Sequence, residues 1–224
     1  VSHNNQVLDS YGNGDGFSGD EGTYNITIRN STAYNNLDAG FDVVSDNFTC
    51  VNCRSYNNTK FGFRLWRTPT THTIINALAY GNGWYPASLS GGTRNVYNST
   101  FVNAPGDNGH TISVSTGLNL NMRNSIFANY SLGAFSSTPG TRNEDYNIYY
   151  SPTAAPGFTL AANSLSSNPL FVDTAANDYH LQSGSPAINS GTSLPQVTAD
   201  FDGVPRPQGS AYDRGAYEFG GTTP

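Results

Sequence analysis

The stretch YNNLDAGFDVVSDNFTCVNCRSYNNTKFGFRL, residues 34–65, holds one pattern written twice. In each copy an asparagine follows a tyrosine by two residues, and glycine and phenylalanine come after a short polar turn. Tyr11, Tyr34, Tyr56 and Tyr80 recur at spacings of 23, 22 and 24, followed by Asn13, Asn36, Asn58 and Asn82. Such a period, with short apolar runs broken by Asn and Gly, is typical of a solenoid whose coils bury their faces only against neighbouring coils.

Apolar and polar residues alternate over about four to six positions in each repeat, which predicts strands rather than helices. We place coils at about 7–17, 26–44, 48–66, 73–89, 96–114 and 118–135. The chain is therefore expected to be all-β, with parallel coils over 1–143 and an uncapped first coil. Pro and Gly break the pattern in 144–224, which predicts an irregular wrap that caps the C-terminal end of the same domain.

The charge of the chain excludes some partners. A net charge of −6, a pI of about 4.9 and a single lysine leave no basic stripe for nucleic acid. The sequence contains no run of about 18 apolar residues that would predict a membrane span, and we find no signal peptide before the repeats.

Cys50 and Cys53 are the only cysteines. Residues three apart on an extended strand point to opposite faces, so a mutual disulfide would need an intervening turn. We predict two small, buried, unpaired side chains in a coil wall.

Parallel strands in register would stack equivalent residues of successive coils about 4.8 Å apart. Phe17, Phe41 and Phe63 then form an inward column, so Ser18, Asp42 and Arg64 point outward. Asp15 and Asp38 lie at the turns that open the first two of these strands, so we expect carboxylates to converge there. At the corners, Asn36 and Asn58 are expected to stack in an amide ladder.

The tail resembles the end of secreted bacterial right-handed parallel β-helix proteins. The motifs that carry the resemblance are Asn168-Pro169-Leu170-Phe171, Gly184-Ser185-Pro186-Ala187-Ile188, Asp200-Phe201-Asp202-Gly203 and Gly215-Ala216-Tyr217-Glu218. This resemblance implies a right-handed parallel β-helix and an extracellular or cell-surface location.

Three segments of the coils also resemble the family-nine pectate lyases, which cleave acidic polysaccharide by calcium-assisted β-elimination. These segments are Asp15-Gly16-Phe17, Asn36-Leu37-Asp38-Ala39-Gly40-Phe41-Asp42 and Gly62-Phe63-Arg64-Leu65. The resemblance implies that Asp15, Asp38 and Asp42 bind calcium and that Arg64 is the catalytic base. Ala39 replaces one ligand of the family, and Arg64 replaces its lysine.

Arg64 has a second interpretation. It would lie one strand from Asp42, and an opposite charge at that distance holds a guanidinium protonated in an ion pair. Beside it we expect a substrate-binding group of aromatic and arginine side chains, suited to sugar rings and uronate carboxylates: Trp66, Arg67, Trp84 and Tyr85. The two tryptophans could instead cover a coil corner.

The sequence leaves three functional hypotheses. The first is an extracellular carbohydrate-active β-helix that binds acidic polysaccharide. In its stronger form it also cleaves the polysaccharide by calcium-assisted β-elimination, and in its weaker form it binds without cleavage. The second is a non-catalytic structural or adhesive solenoid that associates end to end through its uncapped N-terminal coil into a filament. The third is the C-terminal part of a longer enzyme whose active site lies upstream.

Overall fold

The fold is an all-β parallel solenoid of about six turns, seen in a computed structural model that describes residues 1–6, 14–104, 106 and 108–220. Each turn contributes one strand to each of three parallel sheets. Sheet I consists of β1 (Ser2–His3), β4 (Thr32–Tyr34), β7 (Arg54–Tyr56), β10 (Leu78–Tyr80), β13 (Thr100–Val102), β16 (Ile126–Ala128) and β19 (Ile148–Tyr150). Sheet II consists of β2 (Phe17–Gly19), β5 (Ala39–Val43), β8 (Phe61–Leu65), β11 (Tyr85–Leu89), β14 (His110–Val114) and β17 (Gly133–Phe135). Sheet III consists of β3 (Thr27–Arg29), β6 (Phe48–Val51), β9 (Thr71–Ile75), β12 (Thr93–Tyr97), β15 (Asn119–Arg123) and β18 (Thr141–Asp145).

The predicted inward column is confirmed. Phe17 pairs with Phe41, and Phe41 with Phe63. Their ring centroids lie 5.0 and 4.8 Å apart, and Phe41 and Phe63 are fully buried. Burial of each such ring contributes about 1.5–3 kcal/mol, so the column stabilises the register of sheet II.

The amide ladder at the corner between sheets I and II is also confirmed. Asn36 Nδ2 donates to Asn58 Oδ1 at 2.8 Å, and Asn58 Nδ2 donates to Asn82 Oδ1 at 2.9 Å. These amides satisfy one another inside a wall where unpaired polar groups would be costly.

The first repeat differs from the sequence prediction. Tyr11 and Asn13 lie outside the described residues, and His3 stacks on Tyr34 with centroids 4.7 Å apart. Asn5 Nδ2 donates to Asn36 Oδ1 at 2.9 Å, so Asn5 extends the ladder. The additional residues between Asn5 and Asp15 make this first spacing longer than the repeat. A search with a fixed period therefore did not find it.

The prediction of unpaired cysteines was wrong, although both residues are fully buried. Cys50 and Cys53 form a disulfide with their Cα atoms 6.0 Å apart. Asn52 lies between them at the corner that joins β6 to β7, with a φ of 54°. This left-handed residue turns the chain and brings the two side chains together.

The tail covers both the end and one side of the solenoid. Phe158 stacks on Phe135 of the last coil with centroids 5.0 Å apart. Beyond it, β20 (Phe171–Asp173) and β21 (Asp178–Leu181) form an antiparallel pair, and Tyr179 and Tyr217 pack on the outer face of sheet I. The expected cap is therefore a short segment, and most of the wrap lies along the coils. The division at 143/144 stays a prediction.

No helix in the described part of the chain is long and apolar enough to cross a bilayer.

His180 on β21 joins two parts of the tail. Its Nδ1 lies 2.6 Å from Asp178 Oδ1 and its Nε2 lies 2.9 Å from Asp202 Oδ2, while its ring packs on Tyr217. Burial lowers the pKa of His180, but the bonds to Asp202 and Asp178 outweigh burial and raise it above 6.5.

We expect the contribution of His180 to stability to depend on pH. A raised histidine pKa stabilises the fold fully below the unfolded pKa and loses that effect as pH rises through the folded pKa. The difference in melting temperature between wild type and His180→Gln should therefore be larger at about pH 5.5 than at about pH 9. An equal difference at both pH values would contradict the charge-assisted contact.

Candidate functional site

The outer face of sheet II carries the predicted polar column. Ser18 pairs with Asp42, and Asp42 with Arg64, so these side chains stack on the surface above the buried phenylalanines. This register follows from the 22 to 24 residue repeat, because side chains alternate between the two faces of each strand. The column is the centre of what we name the sheet II site: Asp15, Asp38, Asp42, Lys60, Arg64 and Trp66.

Asp42 connects this site. Arg64 Nη1 donates to Asp42 Oδ2 at 3.0 Å, and the Trp66 indole N–H donates to Asp42 Oδ1 at 2.7 Å. The Arg64 guanidinium lies over the Trp66 ring, 5.0 Å from its centroid. Asp42 is only 7% exposed, whereas Trp66 is 40% exposed. The carboxylate thus holds a cation and an indole in place at the surface.

Asp15 and Asp38 lie at the turns that lead into β2 and β5. Asp15 Oδ1 accepts a hydrogen bond from the Ala39 amide at 2.9 Å. Asp38 Oδ2 lies 3.2 Å from Lys60 Nζ, while its buried Oδ1 has no hydrogen-bond partner in the described part of the chain. Asp15, Asp20, Asp42 and Trp66 are among the residues that line a hollow of about 250 Å³.

The carboxylates of the site affect one another. Burial raises the pKa of Asp15, the Ala39 hydrogen bond opposes that rise, and the charges of Asp42 and Asp38 add to it, giving about 6. Burial also raises the pKa of Asp42, against the hydrogen bonds from Trp66 and Arg64. A carboxyl group with a pKa near neutrality is suited to proton transfer.

Asp15→Asn should stabilise the protein at neutral and alkaline pH. The raised pKa means that ionisation of Asp15 disfavours the folded state, and this cost develops as pH rises from 3.8 to about 6. After allowance for solvent screening of a half-buried group, the gain is about 1 kcal/mol at about pH 8, with none at about pH 3. Chemical denaturation at both pH values measures it, and no gain at alkaline pH would contradict the burial effect.

The side chains as placed do not fit a calcium ion. Among the described residues, no group of three His, Cys, Asp or Glu side chains is arranged to hold a metal. Arg64 and Trp66 occupy both oxygens of Asp42, and Lys60 occupies one oxygen of Asp38. Protein groups thus already contact Asp38 and Asp42, and calcium binding stays a prediction.

The predicted substrate-binding residues are divided among three places. Trp66 belongs to the Asp42 group, whereas Trp84 packs edge-on against Phe61, with ring centroids 5.3 Å apart. Tyr85 pairs with Phe61 in the register of sheet II. Trp84 is 44% exposed, and the substrate role of Trp66, Trp84 and Tyr85 stays a prediction.

Arg67 does not join the site. It lies at the corner between sheets II and III, where Nη2 is 3.0 Å from Glu21 Oε1 and Nη1 is 3.9 Å from Asp46 Oδ1. Its position after Trp66 turns it away from the outer face of β8, and its φ of 91° marks the end of the extended strand. Arg67 already contacts the acidic side chains of Glu21 and Asp46, and its substrate role stays a prediction.

Lys60 is a site residue that the sequence interpretation missed. Besides contacting Asp38, its Nζ lies 5.3 Å from the centroid of Trp84. The available signal was its spacing of 22 residues from Asp38, the same spacing that joins Asp42 to Arg64.

Arg94 supports the loop that follows β8. It is fully buried, and its guanidinium donates to the carbonyl oxygens of Arg67 and Thr70 at 3.0 Å. Burial lowers the pKa of Arg94 to about 10, which leaves it charged at neutral pH. These bonds fix the backbone next to Trp66.

No family model matches the chain. A stretch of 73 residues is 40% identical to mannuronan C5-epimerase AlgE1 of Azotobacter vinelandii, covering 31% of this chain and 5% of the epimerase. The chain thus spans a small part of that relative. Pectate lyase Pel9A has a similar structure, with a TM-score of 0.52 and 17% identity over 91% of this chain and 68% of Pel9A. At that identity the likeness establishes the parallel β-helix fold.

Proposed function

We propose that this protein is an extracellular carbohydrate-active β-helix whose sheet II site binds an acidic polysaccharide and removes the proton next to a uronate carboxylate. The observation that carries the proposal is the pair of cations at exposed indoles, Arg64 over Trp66 and Lys60 over Trp84. Arginine can bind a carboxylate through two hydrogen bonds, and an indole can pack against a sugar ring.

The comparisons support the same substrate class. Pectate and mannuronan, the polymers in the names of the two similar proteins, are both polyuronates. Elimination from pectate and C5 epimerisation of mannuronan share their first step, which is removal of the C5 proton. In elimination, the C4–O bond then breaks, a C4–C5 double bond forms, and the leaving oxygen takes up a proton.

The residues of the site suit parts of this chemistry. Arg64 would neutralise the uronate carboxylate, which makes the neighbouring C5 proton more acidic. Asp15, with its pKa of about 6, could exchange a proton with the substrate near neutral pH. Arg64 Nη1 donates to Asp42 Oδ2 at 3.0 Å, so the guanidinium is part of an ion pair, and its role as the base stays a prediction.

The charge balance of this face makes a calcium effect testable. Among the described residues, the cations that contact these carboxylates are Lys60 at Asp38 and Arg64 at Asp42, which leaves Asp15 without one, so an added cation would reduce repulsion of a polyanion. Calcium titration by calorimetry, with Asp38→Asn as the comparison, tests the predicted ligands. Binding by wild type that Asp38→Asn weakens would support calcium, and no heat of binding would reject it.

The activity test uses polygalacturonate and polymannuronate, with and without calcium. Ultraviolet absorption detects an unsaturated uronate product, and proton NMR detects epimerised residues. We expect one of these products from wild type and none from Asp42→Ala. Failure of both polymers to bind or react would reject the proposal. Filaments seen by electron microscopy would then favour the structural solenoid, whose self-association stays a prediction.

A further inference from the structure

A second hollow lies far along the solenoid, on the corner between sheets I and II. It has a volume of about 420 Å³. Its polar lining consists of Asn103, Asn129, Ser131, Ser151 and Thr153. Within the described part of the lining there is no Asp, Glu, Lys or Arg, in contrast to the sheet II site.

Asn103 makes this hollow unusual. It is only 4% exposed, and its side-chain Oδ1 and Nδ2 have no hydrogen-bond partner in the described residues. The backbone at this position is satisfied, because its N–H donates to the Ala128 carbonyl at 3.0 Å. A buried amide without a partner costs folding free energy and calls for an explanation outside ordinary packing. Other buried asparagines of the solenoid, such as Asn58, pair in ladders.

The hollow continues onto an aromatic surface. Asn129 and Pro152 also line a neighbouring depression of about 290 Å³, which Tyr150 and Phe171 complete. Both rings are partly exposed. Hydroxyl and amide groups beside apolar ring surfaces are the combination that binds a sugar, with hydrogen bonds to its hydroxyls and contacts to its C–H faces.

We infer that the groove from Asn103 to Phe171, here named the Asn103 groove, binds an uncharged carbohydrate. The Asn103 amide donates to one sugar hydroxyl and accepts from another. The lack of charge in the described lining favours neutral sugars over uronates, because a carboxylate placed there would lose water without gaining a cation. This inference does not depend on the function proposed for the sheet II site.

The test is an NMR titration of the ¹⁵N-labelled protein with cellotetraose, mannotetraose, β-1,4-galactotetraose and tetragalacturonate. The signals followed are the Asn103 side-chain amide and the Ser131 backbone N–H. We expect saturable shifts with at least one neutral oligosaccharide. No shift with any neutral sugar, or stronger binding of tetragalacturonate at these signals, would overturn the inference.

Variants separate binding from folding. Asn103→Leu should weaken binding at least about tenfold while leaving the melting temperature unchanged or higher, because it removes an unpartnered amide. The matched control is Asn95→Leu on sheet III, where the Asn95 amide donates a hydrogen bond to Thr73 at 3.1 Å, and it should leave binding unchanged.

The surface variant Ser131→Ala/Thr153→Ala, which leaves the core intact, should weaken binding about three- to tenfold. Affinity equal to that of wild type in both Asn103→Leu and the surface variant would overturn the assignment.

Discussion

Replacing Arg206 with methionine is expected to lower the free energy of unfolding by about 3–5 kcal/mol. Arg206 Nη1 lies 2.6 Å from Glu218 Oε1, and both side chains are completely buried in the tail. Arg206 also donates to the carbonyl oxygens of Asp213 and Gly215 at 3.0 and 2.9 Å. Removing the guanidinium leaves the Glu218 carboxylate buried without its countercharge. Urea denaturation followed by circular dichroism measures the loss.

The control for this prediction is Arg29→Met, because Arg29 is an exposed arginine on β3. It should change stability by no more than about 0.5 kcal/mol. The double variant Arg206→Met/Glu218→Leu should recover only part of the loss, since Glu218 also accepts hydrogen bonds from the Gln208 and Asp213 amides. A loss below about 1 kcal/mol in Arg206→Met would contradict the importance of this buried pair.

Arg64→Gln is expected to reduce affinity for oligogalacturonate by about ten- to a hundredfold. A charge-assisted hydrogen bond contributes about 1.5–3 kcal/mol, which corresponds to that range of affinity. Calorimetry of wild type and variant measures the change. Asp42 keeps its hydrogen bond from Trp66 at 2.7 Å in the variant, so the site should retain its shape.

The matched control is Arg123→Gln on sheet III. Arg123 is also a partly buried arginine in a coil wall, and it contacts Asn143 rather than a carboxylate. Its replacement should leave oligogalacturonate affinity unchanged. Equal losses in the two variants would mean that general electrostatic attraction, and not the sheet II site, accounts for binding.

The repeat predicted the features that depend on register. Because the spacing of 22 to 24 residues is the length of a coil, Phe17, Phe41 and Phe63 could be aligned from sequence, and Asp42 was correctly placed next to Arg64. The same regularity predicted the asparagine ladder. In this fold the same short motifs set the local turns and the register between coils. They therefore predict which residues of successive coils are in contact.

Features that break the period could not be read in this way. An insertion hid the stacking of His3 on Tyr34, and a left-handed Asn52 brought Cys50 and Cys53 together. The tail runs along sheet I through contacts between residues far apart in sequence, such as the Ala216 amide and Thr100 Oγ1. No repeat predicts such contacts.

The sheet II site was predicted in outline but not in detail. Arg67 was grouped with Trp66 because they are adjacent in sequence, yet the strand ends between them and Arg67 contacts Glu21. Lys60 was missed although it lies one coil, 22 residues, after Asp38. The unpartnered amide of Asn103 is a property of packing, which sequence patterns do not report.

The indole N–H signal of Trp66 provides the most direct test of the sheet II site. In a titration with trigalacturonate, we predict a saturable shift of the Trp66 indole N–H, because this group donates to Asp42 beside Arg64. Uncharged galactotriose should leave that signal in place. An unmoved Trp66 signal at saturating trigalacturonate, or an equal response to galactotriose, would contradict uronate binding at the sheet II site.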